Sequence, residues 1–231
     1  MKLLAFETAT EGCSVALWLD GEVRERFELA PRRHAELSLP WAGELLAEAG
    51  IAKSQLDAIA VGRGPGAFTG VRLAIAIGQG IALALDRPVV PVSTLAALAM
   101  QAPGPHVIAA IDARMSEVYS GAFELRAGDA VALGAEAVSG PGLVQCPAGV
   151  ARWHGVGTGF AACDGALGES SPEQWLAIDA GALPRAADVA RLAAHAFARG
   201  EAVAPERIEP AYLRNHVALT IIEQQQLRAS R

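Results

Sequence analysis

The sequence predicts an α/β chain built from two related units. Short apolar runs of strand length alternate with segments of helical period. Residues 57–98 run as strand, glycine turn, long helix and strand, an order that favours a right-handed α/β unit. Strands accompanied by a helical segment occur in both halves, a faint internal duplication.

The elements follow in order. Residues 2–8 form a short apolar run closing on Glu7 and Thr8, a first strand. Residues 14–19 (SVALWL) form a second, Asp20-Gly21 signals a hairpin turn, and residues 22–29 form a third, together compatible with a meander. From 34 to 49 the period becomes helical, with Leu37, Trp41, Leu45 and Glu48 on one face, and Gly50 ends the segment. Pro40 falls in the early turns and predicts a distorted or later start. Residues 58–61 are wholly apolar, as in a strand covered on both faces. The long helix is expected from about 69 to 85, Arg87-Pro88 stops it, residues 89–92 form another strand, and Ser93-Thr94 can cap a short helix through Met100. Residues 101–106 (QAPGPH) carry two prolines and a glycine and mark a boundary, dividing the chain into units 1–103 and 104–231. Beyond it, strands at 107–111 and 118–123 flank a turn at 112–114. Residues 128–168 are glycine-rich and weakly patterned; 186–199 form an amphipathic helix; 205–214 (PERIEPAYLR) must be extended; 217–231 can form a last helix that returns to the first unit.

The chain has 231 residues, 52% hydrophobic and 19% charged, enough for a substantial core, and with only 5% aromatics that core is mostly Ala, Leu, Val and Ile. A net charge of −6 argues against a broad field for a phosphate backbone, so any work on RNA is expected to pass through another subunit. Cys13, Cys146 and Cys163 form no CxxC pair, as expected of a reduced, cytoplasmic protein. MKLLAFETATEG turns polar too soon for a signal peptide, and the apolar run 73–85 reads as too short to span a bilayer, so no membrane partner is expected.

Two features compete for the functional role. The turn GRGPGAFTGVR opens a helix, where backbone N–H groups and glycine freedom suit an anion, so Gly64, Gly66, Thr69 and Arg72 are candidate nucleotide-phosphate contacts. It is neither GxxxxGK[ST] nor GxGxxG, and a tight turn needing glycine for packing explains it equally. The helix that follows is apolar on every side and must be covered on every side. Ala74, Gly78 and Ala82 form a small-residue stripe suited to close helix packing, with Arg72 and Gln79 as the polar side chains inside the helix. A partner or dimer interface is therefore expected over Leu37, Trp41, Leu45, Arg72, Ala74, Ile75, Gly78, Gln79 and Ala82; cover by the chain's own helices is the alternative. The histidines form no HxxxH or HExxH pair, and no GxSxG elbow is present. Glu7, Glu11 and Asp112 stand near strand ends, where carboxylates serve either catalysis or turns.

The stretches FETATEGCSVALWLDG, RRHAELSLP, GRGPGAFTGVRLAIAIGQGIALAL, IDARMSEVYSGAF and EPAYLR together resemble the TsaB (YeaZ) family, accessory proteins for threonylcarbamoyladenosine in transfer RNA. The resemblance implies a two-lobed actin-like, sugar-kinase-like and Hsp70-like (ASKHA) fold, with mixed sheets flanked by helices. It implies a non-catalytic platform for the paralogous transferase TsaD, with the ATPase TsaE in a ternary complex, modifying the adenosine beside the anticodon in tRNAs that read codons beginning with A. It implies tRNA contact only through the complex, a homodimer as another use of the same surface, and ATP or ADP at the partner interface rather than bound by this chain alone. The catalytic type carries two metal-binding histidines where Thr94 and Leu98 stand here, and an acid and a threonine where Gly12 and Cys13 stand. Leucine cannot ligate a metal, so no catalytic and no metal residues of its own are expected. The competing function is an autonomous nucleotide hydrolase or small-molecule kinase of the same fold.

Overall fold

The computed structural model describes residues 1–214; the helix expected at 217–231 lies outside them. The chain opens with β1 (Lys2–Glu7), β2 (Gly12–Leu19) and β3 (Glu22–Leu29). Asp20 and Gly21, both at positive φ, make the tight turn between the last two. Then follow α1 (His34–Glu48), β4 (Ala58–Gly62), α2 (Phe68–Leu85), β5 (Val89–Val92) and α3 (Thr94–Ala99). Pro40 does not delay α1: it lies on the exposed side, where the carbonyl it leaves unbonded can meet water. The Ser93 hydroxyl caps α3 by accepting from the Ala96 amide, as its position suggested.

The second half contains β6 (His106–Arg114), β7 (Glu117–Arg126), β8 (Asp129–Ala132), β9 (Ala137–Ser139), β10 (Trp153–Val156), α4 (Ala166–Glu169), β11 (Trp175–Asp179) and α5 (Ala186–Ala198). The turn expected at 112–114 falls later. Asp112 accepts from the Arg114 amide through Oδ1 in a bulge, so the strand continues and the chain reverses at Met115-Ser116, both at positive φ.

Each half forms one sheet. The first is ordered β3-β2-β1-β4-β5, antiparallel among the first three and parallel where β4 joins β1 and β5. The second is ordered β11-β10-β6-β7-β8, with β9 also on β7, and repeats the plan of a meander followed by two parallel strands. The duplication hinted at in the sequence is therefore a repeat of topology, and the arrangement is the two-sheet ASKHA-like architecture.

Strand alternation divides the core into layers. Leu3, Ala5, Ala16, Ala58 and Ala60 face α3 and α5, which are sandwiched between the sheets against Val107, Ala109 and Ile111. Leu4, Phe6, Val15, Leu17, Ile59 and Val61 face outward onto α1 and α2. Although α5 comes late in the chain, it packs on the first sheet. Its N-terminus is held there by β2 and β3: the Glu25 carboxylate accepts from the Ala187 amide and from the Arg185 guanidinium, and Ser14 Oγ accepts from the Ala186 amide.

The inward face of α2 is Val71, Ala74, Ile75, Gly78 and Ala82. A Cβ at Gly78 would lie 2.4 Å from Cγ1 of Val61, whereas one at Gly80 would meet no atom of the described residues. Gly78→Ala should therefore destabilise the protein by about 1–3 kcal/mol through overpacking. Gly80→Ala should stabilise it by about 0.5–1 kcal/mol through helix propensity. Thermal or urea unfolding of the two variants checks the contrast.

Candidate functional site

The glycine turn is built for close approach. A Cβ at Gly62 would lie 1.9 Å from Glu7 Oε2, one at Gly66 2.5 Å from the Ala9 carbonyl oxygen, and one at Gly70 2.0 Å from that of Thr8. Gly64 adds a positive φ of 92°. Two of the turn's donors are engaged within the chain. The Ala67 amide donates to the Ala9 carbonyl at 2.7 Å, and the Gly64 amide donates to Thr94 Oγ1 at 3.2 Å. Of the expected phosphate contacts, Gly66 and Arg72 line the neighbouring cleft. Gly64 is buried with its amide engaged, and Thr69 is exposed away from the cleft wall. The packing reading of the turn is the one these distances support.

Glu7 sits under the turn, fully buried. Its carboxylate accepts from the Ala9 amide at 2.7 Å and from Thr94 Oγ1 at 2.9 Å. Desolvation pushes its pKa up to about 7, against the lowering effect of those hydrogen bonds. Thr94 thus joins β1, the glycine turn and α3. Leu98 is fully buried, and its Cδ2 lies 2.5 Å from where a Cβ of Gly157 would be. Gly12 and Cys13 are buried in β2.

Between the sheets opens a cleft of about 1000 Å³. Its walls come from the β1–β2 turn with Glu11, the entry to α1 with Arg32, the start of α2 with Phe68 and Arg72, the end of β6 with Asp112, and an arm, residues 208–214. The extended segment expected at 205–214 begins with a short 3-10 turn, Pro205–Arg207. It then crosses from the first sheet to the second. Gln79 Nε2 donates to the Pro205 carbonyl at 2.8 Å, the Ala211 amide donates to the Arg63 carbonyl at 2.8 Å, Arg72 bonds the Tyr212 hydroxyl, and Arg214 donates to the Ala113 carbonyl and pairs with Glu117.

These contacts correct the interface expected from sequence. Arg72 and Gln79 serve the arm. Leu45, Ala74, Ile75, Gly78 and Ala82 are buried against the first sheet, so the Ala74–Gly78–Ala82 stripe admits a strand of the same chain, not a partner helix. Leu37 and Trp41 are half-buried. Among the described residues nothing covers the opposite side of the same helices. On α2 it presents Ala76, Gly80, Leu83 and Ala84, and on α1 Leu39, Gly43 and Ala47. Leu83 is 64% and Leu39 54% exposed, and among the described residues no atom lies near a hypothetical Cβ at Gly43 or Gly80. Starting at Phe68, α2 is 18 residues long and, by length and composition, passes for a membrane span, unlike the shorter run read from sequence; yet only 28% of it is buried. The spacing 76, 80, 84 was available in the sequence; what was not was which of two small stripes the sheet would take.

A family model described as TsaD: tRNA N6-adenosine threonylcarbamoyltransferase matches residues 28–218. The tRNA threonylcarbamoyladenosine biosynthesis protein TsaB of Escherichia coli (strain K12) is 43% identical over 230 residues, covering 94% of this chain and 96% of the relative. The protein of the same name from Haemophilus influenzae is 51% identical over 123 residues, 52% of each chain. The solved structure of YeaZ from Pseudomonas aeruginosa superposes with a TM-score of 0.86 at 49% identity, covering 92% of this chain and 99% of that one.

The buried Glu7 predicts a pH dependence. Because folding raises its pKa from 4.5 to about 7, the folded state holds the proton more tightly than the unfolded state. Its contribution to stability is most favourable below the unfolded value and is lost as pH rises through about 7, a swing on the order of 3 kcal/mol. Glu7→Gln should therefore raise the melting temperature relative to the parent at pH 8 and lose that advantage at pH 5. Equal effects at both pH values in thermal melts would contradict the assignment.

Proposed function

Because the chain belongs to the TsaB (YeaZ) family, we propose that it takes part in tRNA threonylcarbamoyladenosine biosynthesis as a non-catalytic platform for the transferase TsaD. The single observation that carries this is the apolar face of α1 and α2 that no described residue covers, made of Ala76, Gly80 and Ala84 on α2 and Leu39, Gly43 and Ala47 on α1. Small residues four apart let another helix approach closely, and two helices side by side offer a ready half of a four-helix contact. The same face can pair two copies of this chain when the transferase is absent. In the cytoplasmic complex, TsaE joins as a third component and TsaD supplies the chemistry.

The positions that would serve metal chemistry are filled differently here. Leu98 is core, and Thr94 is committed to Glu7 and Gly64. A second reading, an autonomous nucleotide hydrolase or small-molecule kinase, draws on the inter-sheet cleft with Glu11 and Asp112 at its hairpins. Calorimetry with ATP on the isolated chain separates the two. Binding with turnover that vanishes in Glu11→Ala would favour the enzyme, and absence of both would favour the platform.

A stable contact would bury roughly 1,600 Å² in all. A charge at its centre, unpaired once buried, costs about 3–5 kcal/mol, which is a hundredfold or more in affinity. Gly80→Glu should therefore abolish co-elution with TsaD in size-exclusion chromatography while circular dichroism shows an intact fold. Co-elution retained by the folded variant would remove this face from the interface.

A further inference from the structure

In an acidic chain, the cleft mouth is a local exception. Four arginines (Arg32, Arg72, Arg114 and Arg214) line it against two carboxylates, Glu11 and Asp112. Arg114 pairs with Asp112, and Arg214 with Glu117. Among the described residues Arg32 and Arg72 form no ion pair, and Arg72 Nη1 is buried without a hydrogen-bond partner. Arg32 is exposed and held at a φ of 69°. The Arg72 guanidinium carbon lies 3.2 Å from the Phe68 ring centroid and 5.2 Å from that of Tyr212. These rings are not core residues, for Phe68 is 67% and Tyr212 57% exposed. The result is a guanidinium set against two largely exposed rings, beside cations at the mouth of a cavity of about 1000 Å³.

Exposed aromatic faces next to exposed arginines, Arg32 without an ion pair and Arg114 in a surface pair with Asp112, suit one class of polyanion best. An acidic peptide would use the charges but leave the rings idle. Single-stranded RNA uses both, with bases stacking on rings and phosphates meeting guanidinium groups. We propose that this cleft mouth is a direct docking site for an unpaired RNA segment. Phe68 and Tyr212 are its stacking platform, and Arg32 and Arg114 its phosphate contacts. Arg72 is a positioning residue that holds the two rings. The choice of RNA over other polyanions rests on the family reading; the surface adjoins the outer face of α2, since Phe68 and Arg72 stand two turns and one turn before Ala76.

The test uses the full chain, alone and with TsaD, and a fluorescent unmodified tRNA transcript. Anisotropy titrations run from 50 to 200 mM salt, with polyglutamate as competitor. Phe68→Leu keeps an apolar side chain but removes the ring, and should weaken binding by about 5- to 100-fold. Arg32→Gln with Arg114→Gln should weaken it at least tenfold and flatten the salt slope by about 1.4, from roughly 0.7 per phosphate on a single strand. All three positions are exposed, and circular dichroism confirms the fold. Photo-crosslinks from thiouridine-substituted RNA should map to the peptides around Phe68 and Tyr212. The proposal is overturned by variants that bind RNA like the parent, alone and with TsaD, by crosslinks elsewhere, or by equal displacement with polyglutamate. Co-elution of the same variants with TsaD is read in parallel. Loss of RNA binding with co-elution kept supports the site, whereas RNA binding unaffected by the substitutions, with co-elution absent even for the parent, overturns it and the docking role separately.

Discussion

The backbone of the glycine turn lies directly on the backbone of the β1–β2 turn, and the rest of the first half is arranged around that contact. Gly66 and Gly70 face the carbonyls of Ala9 and Thr8 at distances no side chain could occupy, and Gly62 faces the Glu7 carboxylate in the same way. Hydrogen bonds tie the surfaces together, from Ala67 to Ala9 and from Thr8 Oγ1 to the Gly70 carbonyl at 2.7 Å. Burying Glu7 beneath them is costly, and its hydrogen bonds to Ala9 and Thr94 offset part of that cost. The contact fixes where α2 begins. It thereby fixes which face of α2 meets the sheet, which looks outward, and how the cleft wall stands.

A second set of contacts joins the halves of the chain. The first sheet offers alanines (Ala5, Ala16, Ala58 and Ala60) to α5, which is itself rich in alanine, so helix and sheet approach closely. Glu25 and Ser14 hold the N-terminus of α5, and the arm at 208–214 ties α2 to the β6–β7 hairpin on the other side of the cleft. The repeated strand order of the two sheets is thus bound together by segments from the second half that return to the first.

Much of this was legible from residue type. The strands of the first sheet, the long helix, the Ser93 cap and the amphipathic helix near 186 follow from period and turn chemistry that agree with the tertiary outcome. The segment 128–168 was not legible, because its strands are three or four residues long and carry no periodicity. The hairpin turn was misplaced because Asp112 looks like a turn former, yet its carboxylate serves a bulge inside the strand. The arm could be read as extended from its prolines. Its destination could not, since that depends on Arg72, Gln79 and Arg63 being close in space.

The functional face shows the same limit in one helix. Gly78 and Gly80 are two residues apart and so point to nearly opposite sides of α2. In sequence both are small residues in an apolar run, and both belong to a stripe at spacing four, 74-78-82 or 76-80-84. Only the strand below distinguishes them. The methyl of Val61 requires glycine at 78, whereas at 80 no atom of the described residues comes within reach of a Cβ. Packing among the described residues therefore explains the first glycine and not the second. A helix interior pays for glycine in stability. Among the described residues there is no packing reason at Gly80, nor at Gly43 on the neighbouring helix, and small residues at both leave room for a surface beyond residues 1–214 to approach closely.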